Sequence, residues 1–550
     1  MTGRIFDAEE IAAAEAVMGV RYTEAERALM ADNLQAQIDL AVRRRAVPLP
    51  HDLAPATRFD PRLPGFTMPD AAPFRPTAIA PGPLPDREQD IAFAPVGQLA
   101  GWITGRAITA ERLAVLYLDR IARLGPKLEC IALATPDLAL SQARRADALL
   151  AAGTYLGPLH GIPYGCKDLL DTARITTGWG AEPYADRMPS TDATVVRRLA
   201  DAGAVLVAKT TLGALAYGDI WHGGVTRNPW NPLEGSSGSS AGSGSATAAG
   251  LVGFAIGTET LGSIVSPAMR CGTAGLRPTF GRVPRTGAMP LCWSLDKIGP
   301  MCRSVADTAL VLDAINGGDA ADPSSIDASF GFDATAPVAG LRLGWFPADM
   351  EAEDAHPLDR AALDAARALG LELVELDRPD LPYDALMMVL YAEAAASFER
   401  LTLDDEDDRL TWQTAGAWPN SFRKARFLSA VDLVGVDRLR RRVMLDMDAV
   451  FGRVDAILGP CLAGPMLTIT NFTGHPCLAM RAGFRSTRTR LRVALSDGRR
   501  ERPSDEGPEF RVPHAVSLYG RLFDEGTILR IGAALEARLG VADERPPIDG

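Results

Sequence analysis

The chain has 550 residues, long enough for one large α/β domain or two to four ordinary ones. Its composition, 47% hydrophobic and 23% charged, is that of a soluble globular protein, and its net charge of −12 disfavours nucleic acid as a partner, because phosphate binding needs a basic surface. Acidic residues interrupt the apolar N-terminus, no window is apolar over a bilayer's thickness, and the seven cysteines are never spaced C-x-x-C, so a cytoplasmic chain with reduced thiols is expected, with no signal peptide, membrane span, disulfide framework or metal site.

Residues 7–46 read as helical. Thr23-Glu24-Ala25-Glu26 forms a capping-box pattern, and Leu29, Met30, Leu34, Ile38 and Ala41 recur at helical spacing before the arginines at 43–45. Proline and loop-forming residues dominate 47–92, which predicts an extended arm lying on the main domain. Strands and helices alternate from there. A helix is predicted over 192–202, capped by Thr191 or Asp192 and stopped by Gly203, with a strand over 204–209. Residues 305–316 read as a helix, and 341–346, 371–376 and 455–460 as strands, which is an α/β pattern. Residues 484–511, rich in Arg, Ser, Asp and Glu, read as an exposed excursion.

The segment EGSSGSSAGSGSATAAG (234–250) has the composition of a flexible linker, but both flanks look like the interior of one domain. Within it, Gly238–Gly242 fits the G-x-S-x-G nucleophile elbow and would nominate Ser240. The elbow needs a buried strand before it, which NPWNPLEGSS cannot supply. Ser294–Lys297 fits S-x-x-K, but its companion motifs are absent. H-E-x-x-H and Walker A motifs are also absent.

Three segments remain: HGIPYGCKDLLDT (160–172), SGSSAGS (237–243) and GTETLGSIVSPAMRCG (257–272). Together they resemble the amidase signature family, in order and in spacing, and the likeness extends over about residues 91–317 and 455–537. The resemblance implies a large mixed, twisted β-sheet core covered by helices on both faces. It divides the chain into a helical extension (1–46), the arm (47–92) and an amidase signature domain (93–550). It also implies a Ser-cisSer-Lys triad. By that resemblance Ser263 would be the nucleophile, Ser239 (preceded by a cis peptide bond in the family) the proton relay, and Lys167 the base. Lysine can act as a base only when uncharged, a state that burial favours. Backbone N–H groups of Thr260, Leu261, Gly262 and Ser263 would form the oxyanion hole, with Ser240 as a hydrogen-bonding neighbour. Tyr217, Trp221 and His222, from GALAYGDIWHGG, would join Leu261 in the substrate pocket.

Glu259, Leu261 and Val265 stand where the family usually has Asp, Gly and Arg, and Ser237 and Ala241 where it usually has Gly. The usual Asp–Arg pair behind the site is therefore lost, and Arg270 is the expected replacement partner for Glu259. The leading expectation is a stand-alone hydrolase of small, aromatic or bulky apolar carboxylic amides, extending to esters or carbamates. It would work through an acyl-enzyme without a cofactor, and the helical N-terminus could dimerise the chain. The alternatives are the amidase subunit of a tRNA-dependent amidotransferase, which the long N-terminal extension and Leu261 argue against, and a non-catalytic binding protein on the same fold.

Overall fold

The computed structural model describes residues 7–31, 34–70, 72–352, 355–489 and 508–548. A mixed sheet of 11 strands organises the chain. Across the sheet the order is Ile131–Ala134, Val205–Thr210, Pro163–Lys167, Phe254–Glu259, Lys297–Cys302, Ala274–Arg277, Cys477–Thr487, Phe510–Gly520, Ala456–Pro460, Arg342–Trp345 and Glu372–Glu375.

Three neighbouring strands position the site. Pro163–Lys167 runs parallel both to Val205–Thr210 and to Phe254–Glu259. All three are buried at every position, so they read as near-continuous apolar or small-residue runs instead of alternating ones. Because Pro163–Lys167 and Phe254–Glu259 are parallel, Lys167 and Glu259 both fall at carboxyl ends. That is the edge of an open α/β sheet where ligands commonly bind. Lys297–Cys302 then pairs antiparallel with Phe254–Glu259, placing Lys297 opposite Glu259.

The predicted strands at 204–209, 341–346, 371–376 and 455–460 form with ends shifted by a residue, and the 305–316 helix runs from Val305 to Ile315 with Ser304 as its cap. The helix expected over 192–202 starts at Thr194, with neither expected cap in place. Asp192 instead accepts from the Ala173 N–H, so its side chain holds a neighbouring loop. The N-terminal stretch forms three helices, Ala8–Met18, Glu24–Ala31 and Leu34–Arg45. The Thr23–Glu26 capping box is made in both directions.

Among the described residues the arm holds no helix from 47 to 87, but its last expected residues form the helix Glu88–Ala92. It lies on the sheet domain through Phe59 on Phe280, Phe74 on Phe330 and a bridge between Arg75 and Asp333. The ends of the predicted excursion at 484–511 are strand, since Cys477–Thr487 and Phe510–Gly520 pair along their length; residues 490–507 lie outside the described residues. None of the seven cysteines forms a disulfide, and among the described residues no helix is long and apolar enough to cross a membrane.

Candidate active site

Lys167 ends its strand fully buried. Its Nζ donates to Ser239 Oγ at 2.8 Å, Ser240 Oγ at 3.0 Å, Thr258 Oγ1 at 2.9 Å and the Thr258 carbonyl at 3.3 Å. These acceptors are neutral. Burial therefore holds the lysine well below its usual range, outweighing the more distant Asp296 and Glu259 carboxylates. An uncharged amine is the form that can accept a proton.

Ser239 and Ser240 sit where the glycine-rich loop turns into the helix Ala241–Ala248, and the Gly238–Ser239 peptide bond is cis. Gly238 is required by close approach: a Cβ there would lie 1.8 Å from the Gly218 carbonyl oxygen. Ser237, at a position where the family usually has glycine, has φ of 62°, the left-handed region that glycine favours. Asp219 steadies this loop by accepting from the Ser237 N–H. Ser240 accepts from the Thr258 N–H and donates to the Thr258 carbonyl, clamping the loop to the adjacent strand.

Ser263 is reached through the turn after Phe254–Glu259. The Ser240 N–H donates to the Ser263 carbonyl at 3.0 Å, which fixes the two serine loops to each other. No hydrogen bond joins Ser239 Oγ to Ser263 Oγ among the described residues. Glu259 shapes the turn by accepting from the Ile264 and Val265 N–H groups at 2.8 and 3.0 Å. The N–H groups of Leu261, Gly262 and Ser263 make no hydrogen bond among the described residues, so this buried turn offers donors to a ligand oxygen. Gly262 takes the positive φ of 81° and Leu261 does not, which is why a leucine fits where the family usually has glycine.

Glu259 is not paired with Arg270. Arg270 sits 3.5 Å from Glu234, while Arg277 reaches Glu259 at 2.8 Å with both side chains fully buried. Arg277 lies on the strand Ala274–Arg277, inside the sheet, and Asn471 adds a further donor to Glu259. Burial alone would raise the Glu259 carboxyl, but Arg277 and the backbone donors bring it down to about 2.

Beside Ser263 lies a cavity of about 120 Å³ lined by Ala216, Tyr217, Thr260, Leu261, Ser263, Leu291, Met387, Leu390, Tyr391, Gly416, Trp418 and Ser421. Tyr217 and Leu261 are therefore brought to it as expected. Trp221 and His222 are not. The Trp221 indole is buried against Gly223 and the His222 ring, and the His222 N–H is held by the Gly180 carbonyl. The helices Met387–Ser397 and Trp418–Ala425 supply the wall that sequence reasoning missed. The aromatic density at Trp412, Trp418 and Phe422 was the available signal: Tyr217 stacks on Trp412, and Trp418 stacks on Phe422. Among the described residues no group of three or more His, Cys, Asp or Glu side chains is arranged to hold a metal ion.

A buried lysine bonded to paired serines at the carboxyl ends of parallel strands, facing a turn with open N–H donors, is equipped for acyl transfer. The chain belongs to the amidase family, whose sequence model, described as Amidase, matches residues 112–529. It is 34% identical over 488 residues to the A subunit of the glutamyl-tRNA(Gln) amidotransferase of Chloroflexus aurantiacus, covering 80% of this chain and 95% of that one. It is 31% identical over 497 residues to the protein of the same name from Heliobacterium modesticaldum, covering 82% and 98%. Among solved structures it resembles the peptide amidase of Stenotrophomonas maltophilia, with TM-score 0.69, 29% identity, and coverage of 83% of this chain and 99% of that one.

Proposed function

We propose that this chain hydrolyses carboxylic amides with an aromatic or bulky apolar acyl group, acting without other protein chains. The observation that carries the reading is the cavity beside Ser263, whose lining includes no charged side chain. An apolar acyl group buries surface there at no cost in unpaired charge.

Ser263 Oγ attacks the carbonyl carbon, and the new C–O bond places negative charge on the carbonyl oxygen, facing the N–H groups of Leu261, Gly262 and Ser263, with Thr260 at the start of the turn. The Ser263 proton passes through Ser239 to Lys167, and Ser239, recharged by Lys167, protonates the departing nitrogen as the C–N bond breaks. The amine leaves an ester on Ser263, and water, deprotonated by the same relay, cleaves it to the acid. Ser240 and Glu259 hold this geometry from behind. Esters and carbamates with the same acyl group enter by the same attack.

A second reading, the amide-hydrolysing subunit of a tRNA-dependent amidotransferase, is favoured by the names of the two amidotransferase relatives. Glutamine would then bring a charged α-amino and α-carboxylate group, for which this cavity lining has no counter-charge. Hydrolysis of phenylacetamide, an acetanilide, a phenyl ester, a phenyl carbamate and glutamine by the purified chain separates the two. The expected result is turnover of the apolar acyl substrates over glutamine, with Trp418→Ala eroding the preference for phenylacetyl over acetyl groups roughly ten-fold or more. Turnover of glutamine in preference to the rest would overturn the reading.

A further inference from the structure

A second cavity, of about 200 Å³, adjoins the first and shares Ala216, Thr260 and Leu291 with it. Thr258 lines this second cavity and not the first. Its hydroxyl and carbonyl oxygens take hydrogen bonds from Lys167 Nζ, so the second cavity borders a residue that holds the Lys167 amine. Amide cleavage needs a proton on the departing nitrogen, which sets the amine half of the substrate on the Lys167 side and the acyl half beside Ser263.

The outer wall of this cavity belongs to the chain's own arm, through Asp52 and Ala54. The arm is anchored just before them, where the His51 ring sits against Trp179, Tyr184 and Phe398 at centroid distances of 5.5, 6.2 and 5.6 Å.

The charges lining the cavity are Asp52, Asp296 and Asp322 against Arg285 and Lys297. Asp322 is engaged by Arg285 through both oxygens. Asp296 accepts from Thr260 Oγ1 and from the N–H groups of Leu291 and Cys292, and Lys297 donates to the Leu295 carbonyl. Asp52 is exposed and makes no hydrogen bond or ion pair among the described residues. The residual charge of the cavity lining is therefore negative and sits on the exposed Asp52.

We infer that this cavity is the amine subsite, that it takes secondary amides whose amine half ends in a cation, and that Asp52 reads that cation. The inference rests on the hydrolase reading above and gives it a substrate class. Three phenylacetyl amides test it on the full-length chain: phenylacetamide, the butylamine amide and the mono-amide of 1,4-diaminobutane.

Wild type should favour the diaminobutane amide over the butylamine amide in kcat/KM. Asp52→Asn should reduce that ratio roughly three-fold, the size available to an exposed charge pair. Ala54→Trp, which fills the cavity from the arm, should reduce the ratio of either N-alkyl amide to phenylacetamide by about ten-fold or more. Cleavage of phenylacetamide with both ratios unmoved by the variants would overturn the amine subsite and leave the hydrolase reading standing. Cleavage of none of the three by wild type would overturn both.

Discussion

At Lys167, burial among neutral acceptors decides the chemistry: with only hydroxyl and carbonyl oxygens around it, the amine loses its proton well below the usual 10.5. Because the uncharged amine is the active form in the proposed reaction, kcat/KM should rise with pH as Lys167 deprotonates and level off well before pH 10.5. Lys167→Met should remove that limb and lower kcat by roughly 10²–10⁴-fold, the usual worth of a positioned base. A pH–rate profile of the two proteins checks this, and a rising limb retained in Lys167→Met would assign it to another group. The residues proposed to carry the chemistry are legible because three separated segments resemble the amidase signature motifs in order and spacing, and Lys167, Ser239 and Ser263 fall at motif positions. Met387, Leu390, Tyr391 and Trp418 carry no such mark. They lie on helices far along the chain, and an apolar helix face reads the same whether it covers a core or a pocket.

At the scale of elements, the buried Glu259–Arg277 pair ties the turn that carries Ser263 to the interior of the sheet. Arg277→Met leaves a buried carboxylate without its counter-charge, and a cost of about 3–5 kcal/mol is expected, read as a lower denaturation midpoint in urea. The Glu259 carboxyl is depressed from 4.5 to about 2 in the folded chain, so its stabilisation is complete above pH 4.5 and is lost as pH falls toward 2. Urea titrations across that window should show a loss in wild type that is smaller in Arg277→Met. The partner of Glu259 was not legible in the sequence. Arg270 is nearer along the chain, but it ends a short helix leading away from the turn, whereas Arg277 returns on a strand within the same sheet. The sheet's alternation of strands and helices was legible, and its strand order was not, because that order is set by non-local pairings such as Ala274–Arg277 with Cys477–Thr487.

Across the whole molecule, the carboxyl end of a central strand carries Lys167, two distant helices close the cavity beside Ser263, and residues of the arm line the cavity next to it. That Asp52 and Ala54 reach the neighbourhood of the site depends on where the folded domain offers His51 an aromatic bed, which no local pattern encodes. The central claim is that this chain, without other subunits, forms an ester on Ser263 from an apolar amide. The most direct measurement is the intact mass of the purified chain, acid-quenched during turnover of phenylacetamide, for wild type and Ser263→Ala. The account predicts a phenylacetyl adduct in wild type that maps to Ser263, and neither adduct nor turnover in Ser263→Ala. Turnover that persists in Ser263→Ala, or a wild type that neither acylates nor hydrolyses until other subunits are supplied, would contradict it.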